Sequence, residues 1–402
     1  MAFREFAWGG DGEGSSYVTH GEVQQYLEDY ANEFHLTDNI RFGCLVNNLK
    51  VLSDYDGDCR AMKVEKDEID GEPWPKISLE WTDRTTNQSC QQTFDGVSIC
   101  NGHYALPSRP PLLGLEGFPG RVIHAVEYDD PNDFAGRTVL CVGARASGGD
   151  IAREVGSVAN RVYLSDSTCD RREEFGNVIR MPRTRSIGSN GEVHFSNGNG
   201  DEWTADDVDV IILCSGYDYS FPFITEGSNL ELKSIPSERR VRPLYEQLWH
   251  ARHPSLSFIG LPHSVVPFPL FEIQSDAVVS QWTSKAGSIP LPPPSERMAA
   301  AERDATAGGP ALPGRVLDTH YLGSFQWDYC RKLARIGGTY DDSMENFIAT
   351  NEAMYDRSQM ERTGMAPGER DLYRETRFRR LDEQRSFEIL YSEIDPSKLT
   401  LP

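Results

Sequence analysis

The sequence predicts an α/β chain that carries two nucleotide-binding domains of the βαβ type, and three observations predict it. From Arg137 to Asp166 the order is strand, glycine loop, helix, strand, in "RTVLCVG", "ARASG", "GDIAREVG" and "RVYLSD", as in a nucleotide-binding unit. Two distant segments, "DGVSICNGHYALP" and "DVIILCSGYDYSFP", share an acidic lead-in, an apolar strand, Cys-x-Gly, aromatic or histidine residues and a proline. Such an ending suits a strand that turns sharply beside a ligand, where glycine lets backbone approach; two endings imply two domains. The length of 402 residues also exceeds what one hydrophobic core usually serves.

Taken in order, Thr19 and Glu22 stand at capping-box spacing, and Val23, Tyr26, Leu27, Tyr30 and Phe34 then fall on one face. This predicts a helix that packs on a core. Three β-like runs follow, "IRFGCLV" (40–46), "ISLEWTD" (77–83) and "VSICNG" (97–102), separated by acidic, glycine-bearing turns. "LPSRPPLLGLEGFPG" reads as a connector that ends the first part near residue 120. After the βαβ unit, "EVHFSNGNGDEWTADDVDVIILCSG" predicts a strand, a turn at Asn197–Gly200 and a buried strand. Aromatic and proline-rich segments occupy 241–285, and "SIPLPPPSERMAAAERDATAGGPALPG" reads as a low-complexity connector with a short helix around Met298 to Arg303. The expected divisions are 1–120, 121–240, 241–340 and a charged, partly helical tail at 341–402 without chemistry.

Composition excludes several functions. The net charge of -22 would repel nucleic acid and anionic membranes, which leaves a small-molecule enzyme or a solvent-facing scaffold. No run reaches the roughly 18 apolar residues that span a bilayer, and the start "MAFREFAWGGDGEGSS" has no signal-peptide pattern. The eight cysteines are scattered without a C-x-x-C pair, so reduced core thiols and a cytoplasmic location are expected. His250 and His253, in "HARHPS", have no thiol or carboxylate cluster beside them in sequence, and no metal site is expected.

In the dinucleotide fingerprint G-x-G-x-x-G, the first glycine makes the tight turn, the second admits the pyrophosphate, and the third lets helix and strand pack closely. Gly143, Arg145 and Gly148 occupy those positions, and Ala144, Ala146, Ser147, Gly149 and Asp150 complete the candidate cradle. Arg145 has three readings: its side chain pushes the dinucleotide outward and weakens the site, its guanidinium pairs with a phosphate, or it is a solvated bystander. About 20 residues beyond the loop such a domain selects its ribose. There Asp166 would accept from a 2′-hydroxyl, as NADH requires, whereas Ser165, Arg171 and Arg172 could hold a 2′-phosphate. Gly102 and Gly216, at the two strand endings, complete the candidate cofactor contacts read from the residues.

In "FPGRVIHAVEY", Phe118, Gly120, His124 and Tyr128 match the F-x-G-x-x-x-H-x-x-x-Y signature of flavin-containing monooxygenases, just upstream of the glycine loop. "MAFREF", "THGEVQQYLEDYANEF", "CNGHYALP", "CSGYDYSFPFI", "FIGLP" with "PFPLFEIQ", and "HYLGSFQWDYCRKLA" resemble the same family, which implies that "PFPLFEIQ" is a packed wall of the cofactor channel and makes its Gln274 a candidate cofactor contact. Together these segments cover roughly residues 1 to 340. Baeyer-Villiger enzymes resemble the chain less well, because their signature usually ends in an aromatic residue and proline and here Asp129 follows Tyr128. The resemblance implies two Rossmann-like domains, an NADP domain inserted in an FAD-type domain. It also implies FAD, NADPH and dioxygen as reactants, a C4a-hydroperoxyflavin, and a soft nitrogen or sulfur nucleophile as substrate. Such chemistry needs water exclusion more than side-chain acids and bases, so no catalytic residue is assigned and His124 is read as a hinge or packing residue. A disulfide reductase relative is disfavoured by the lack of a redox cysteine pair.

The family's FAD glycine loop, the acidic ribose ligand after it, its G-G-x-W segment and an asparagine near the flavin are not found. "WGGDGEGSS", with Gly9, Gly10, Gly12 and Gly14, lacks a preceding apolar strand, and its acids would repel a pyrophosphate. By resemblance Met1 corresponds to an internal methionine, so the FAD-type domain is expected to miss its first βαβ and to leave a sheet edge unpaired. The alternative function is a non-catalytic remnant that binds a nicotinamide dinucleotide and cannot hold FAD.

Overall fold

The first helix forms where the capping box predicts it. In α1 (His20–Glu33) the Thr19 hydroxyl accepts from the Glu22 N–H at 3.3 Å, and Glu22 accepts from the Thr19 N–H at 2.7 Å. Its buried Tyr26 stacks on Trp8 and Phe268. The computed structural model describes residues 2–8, 16–52, 74–109, 111–235, 240–307, 319–363, 372–381 and 386–391. The chain divides into two units, one of Met1–His103, Tyr219–Gln359 and Leu372–Asp395, the other of Tyr104–Asp218, Met360–Asp371 and Pro396–Pro402.

The first unit opens with an antiparallel meander of β1 (Cys44–Val51), β2 (Ile77–Asp83) and β3 (Gln88–Phe94), then β4 (Val97–Ile99). β1 starts four residues later than the run at 40–46 suggests, because Gly43 takes a φ of 72° and turns the chain just before it.

The second unit holds β5 (Leu106–Pro107), β6 (Arg121–His124), β7 (Thr138–Val142), α2 (Ala146–Gly156), β8 (Arg161–Ser165), β9 (Glu173–Phe175) and β10 (Val178–Met181). It continues through β11 (Thr184–Ile187), β12 (Val193–Ser196), β13 (Glu202–Ala205), β14 (Val210–Leu213) and β15 (Tyr217–Asp218). A six-stranded sheet runs β6-β14-β7-β8-β10-β9, parallel except for β9. β7 and β14 are nearly continuous apolar runs because both their faces are covered. Val139, Cys141, Val162 and Leu164 meet Ile151, Ala152 and Val155 of α2 on one face. Alternate residues Leu140, Tyr163, Ile211 and Leu213 meet Val193 and Phe195 of the β11-β12-β13 sheet on the other. The turn predicted at Asn197–Gly200 is held by the Asn197 side chain, which accepts from the N–H groups of Asn199 and Asp201. The proline- and glycine-rich connector belongs to this unit, with Ile187 N–H donating to the Leu113 carbonyl at 2.8 Å.

Returning to the first unit, the chain forms β16 (Lys233–Ile235), β17 (Arg240–Arg242), β18 (Leu244–Tyr245), β19 (Trp249–His250) and β20 (Leu256–Phe258). Helices α3 (Pro267–Trp282), α4 (Pro294–Ala307), α5 (Gln326–Ile336) and α6 (Asp342–Thr363) follow, then the hairpin β21 (Arg377–Leu381) and β22 (Ser386–Tyr391). α4 is longer than the helix expected at 298–303. A sheet runs β18-β19-β20-β4, and β4 pairs in parallel with β20 and with no other described strand. Trp249, Leu270, Ile273, Trp327 and Leu333 form the core over which α3 and α5 pack, and α6 adds Met344, Phe347 and Ile348. The start of the charged tail is therefore a core helix.

Candidate functional site

β7 leads directly into the glycine loop. Gly143 has a φ of 108°, its N–H donates to the Ser165 carbonyl at 3.0 Å, and a Cβ there would lie 2.6 Å from the Cys214 carbonyl oxygen. A Cβ on Gly148 would lie 1.7 Å from the Gly143 carbonyl oxygen. The first turn of α2 thus rests on the end of β7 so closely that only glycine fits, which is the packing role of the third fingerprint glycine. Gly149 is less constrained, since a Cβ there would be 3.8 Å from the nearest atom.

Arg145 is the N-cap residue of α2, with an extended backbone at φ -72° and ψ -169° and an exposed position. An L-residue sits there without backbone strain, so the missing second glycine does not distort the loop. Ala146 and Ser147 follow in the exposed first turn, whose N–H groups have no partners within the helix. No acidic residue stands in that turn, and Asp150 just beyond it is ion-paired with Arg153. A helix start of this charge and geometry favours a phosphate.

At the end of β8 the Ser165 hydroxyl is buried, accepting from Thr184 N–H at 2.8 Å and donating to the Pro182 carbonyl at 3.2 Å. It braces the sheet. Asp166 accepts from the Thr168 N–H and hydroxyl, both at 2.8 Å, and from Arg180 at 3.0 and 2.5 Å. Burial raises its carboxyl, but the Thr168 and Arg180 bonds outweigh this and hold it below the ordinary range. Arg171 pairs with Glu173 at 3.0 Å and Arg172 with Glu174 at 2.7 Å.

The signature residues brace this site. Phe118 is buried, and a Cβ on Gly120 would lie 2.2 Å from the Asp209 carbonyl oxygen. His124 has no solvent exposure; its Nδ1 accepts from Val126 N–H at 3.2 Å, which places the proton on Nε2 to donate to the Gly216 carbonyl at 3.0 Å. Burial, opposed by that bond, lowers its pKa. The Tyr128 hydroxyl donates to Glu154 of α2 at 2.8 Å, and burial followed by that carboxylate keeps the phenol protonated. The ring fixes the turn after β14 and the phenol fixes α2.

Gly216 has a φ of 81° with open space at its Cβ position, as does Gly102 at 71°. Gly102 and Gln274 belong to the first unit. Gln274 is fully buried, its carbonyl accepting from Gly260 N–H at 3.0 Å and its amide donating to the Tyr329 hydroxyl at 3.2 Å. His250 accepts from His253 N–H through Nδ1 at 3.1 Å, and the two rings stack. Among the described residues no group of three or more His, Cys, Asp or Glu could hold a metal. Gly9, Gly10, Gly12 and Gly14 lie outside the described residues.

Sequence reasoning missed Arg180, Thr168 and Glu154. No local motif marks them, because strand register and helix packing bring them to their partners.

The residues of the second unit fit a nicotinamide dinucleotide, given the close Gly143–Gly148 turn and a helix start without an unpaired acid. The first unit offers no equivalent for FAD among its described residues. Its one comparable passage, from β20 through Gly260 to α3, opens the helix with Pro267 and Pro269, which have no N–H to offer a phosphate.

Residues 2–171 match a family model described as flavin-binding monooxygenase-like. The chain is 31% identical over 325 residues to Flavin-containing monooxygenase FMO GS-OX-like 4 of Arabidopsis thaliana and 30% identical to FMO GS-OX-like 3 of the same plant. Each match covers 79% of this chain, which spans 65% of the length of each relative. The structure of S-allyl-L-cysteine S-oxygenase from Allium sativum matches with a TM-score of 0.72 at 25% identity, over 96% of this chain and 79% of that one. Tmm from Pelagibacter sp. strain HTCC7211 shares the fold, with a TM-score of 0.71 at 19% identity over 99% and 80% of the two chains.

Proposed function

The chain belongs to the flavin-containing monooxygenase family, and from that premise we propose that it serves the oxygenation of soft nitrogen or sulfur nucleophiles by dioxygen, with FAD and NADPH. The observation that carries this reading is the β7–α2 loop with the family signature fastened to it through His124–Gly216 and Tyr128–Glu154. The similarity to the Allium sativum S-oxygenase supports a sulfur substrate. When bound, the nicotinamide supplies hydride and the flavin activates dioxygen. The chain's own part is to hold and orient the dinucleotide: the N–H groups of Ala146 to Gly148 would hold its pyrophosphate, and neutral His124 keeps the Gly216 turn in place. No proton transfer is assigned to a side chain, and none is needed for positioning. Among the described residues no helix is long and apolar enough to cross a membrane. Buried, free Cys141, Cys169 and Cys330 fit a reducing compartment such as the cytoplasm.

The pairing of β4 with β20 alone among the described strands and the proline-blocked start of α3 favour a second reading, a dinucleotide-binding protein that does not retain flavin. Loading the 402-residue protein with FAD, desalting it and recording its visible spectrum separates the two. A yellow protein that oxidises NADPH in air and oxygenates a thioether supports the monooxygenase. A colourless protein that still quenches on NADPH addition supports the second reading.

A further inference from the structure

We infer that Arg180 is a specificity-determining residue: by occupying the Asp166 carboxylate it turns an acidic strand end, of the kind that reads a ribose 2′-hydroxyl, into one compatible with a 2′-phosphate. The inference rests on the dinucleotide reading of the same loop. By sequence position Asp166 is the ribose acceptor of an NAD-type domain. A carboxylate has about four acceptor positions, and here four bonds fill them. Thr168 N–H and hydroxyl take Oδ1, and Arg180 Nε and Nη2 take Oδ2. Only 13% of the side chain is exposed. A 2′-hydroxyl therefore meets a saturated acceptor, and a 2′-phosphate meets a carboxylate whose charge is already paired.

The geometry of Arg180 is set by strand register. β10 lies parallel beside β8 with Arg180 opposite Leu164, so the guanidinium reaches the residue that follows β8. Its Nη1 also donates to Glu173 at 3.2 Å, which fixes the plane that meets Asp166. On the loop between these strands Arg171 and Arg172 remain 75% and 46% exposed despite their glutamate partners. This leaves two reorientable cations near the masked acid.

The test compares ADP-ribose with 2′-phospho-ADP-ribose, probes that differ only at the 2′ position, by isothermal titration of the whole protein. The wild type binds the phosphorylated probe at least about tenfold more tightly, the scale of one charge-assisted bond. Arg180→Met lowers that preference by about tenfold or more, and adding Asp166→Asn to it restores most of the loss. A general loss of structure would weaken both probes together and leave their ratio unchanged, which overturns the inference. So does equal binding of both probes by the wild type, or a double variant without recovery, which would make Arg180 a direct phosphate ligand. Should Arg180→Met fail to fold, Asp166→Asn alone decides: an unchanged affinity for ADP-ribose supports masking, and a loss of ADP-ribose affinity overturns it. Failure of the wild type to bind either probe removes the dinucleotide site itself, and the inference with it.

Discussion

Two adjacent glycines in α2 face different constraints. A Cβ on Gly148 meets the Gly143 carbonyl oxygen at 1.7 Å, whereas on Gly149 it meets nothing closer than 3.8 Å. Gly148→Ala must push the helix off the strand; we expect a loss of about 1–3 kcal/mol in stability and of about tenfold or more in NADPH affinity by fluorescence titration. Gly149→Ala removes a helix-interior glycine and should stabilise by about 0.5–1 kcal/mol in denaturant melts. His253 supplies a pH dependence. Burial, then Arg252 and Arg297, push its pKa down to about 4. The unfolded imidazole binds a proton near pH 6.5 while the folded one resists until about 4, so its stability contribution is whole at neutral pH and is lost as acid crosses that window. His253→Asn should flatten the fall in unfolding free energy between those values by up to about 3 kcal/mol. An unchanged slope would assign the acid sensitivity to other groups.

At the scale of elements, what the sequence disclosed was local. The capping box of α1, the β7–loop–α2 order and the Asn197 turn depend on residues a few positions apart, and periodicity or spacing reveals them. Pairings across strands and helices were not legible. Spacing reads Asp166 as a ribose acceptor and Ser165 as a candidate for a 2′-phosphate, but it does not show that Arg180 stands beside the one and Thr184 beside the other. The packing of the partly helical tail is not legible for a similar reason. α6 is charged overall, but Met344, Phe347 and Ile348 face the core, and Glu345 and Glu352 meet Arg331 of α5 at 3.0 and 2.7 Å. Arg331 and Glu345 side chains are only 18% and 16% exposed. Arg331→Ala leaves that glutamate poorly solvated and unpaired by its arginine, and we expect a cost of about 2 kcal/mol, discounted from a fully buried pair. Urea unfolding with an unchanged m-value would measure it.

On the scale of the whole molecule, 62 acidic residues against 40 basic ones make self-repulsion a general burden on the folded state. Screening should relieve it: between about 0.01 and 0.3 M NaCl we expect the melting temperature to rise by roughly 1 °C, equivalent to about 1 kcal/mol for a chain of this length. A flat or falling trace in calorimetry would mean that the local ion pairs outweigh the global field. The chain's path adds a matter of timing. β4 finds its partner β20 only after the whole of Tyr104–Asp218 has been made. At about 5–20 residues per second the ribosome takes roughly ten to thirty seconds to travel from Ile99 to Leu256. During that interval the Val97–Ile99 segment lacks the strand it pairs with among the described residues, so the order of synthesis favours maturation of the Tyr104–Asp218 segment first.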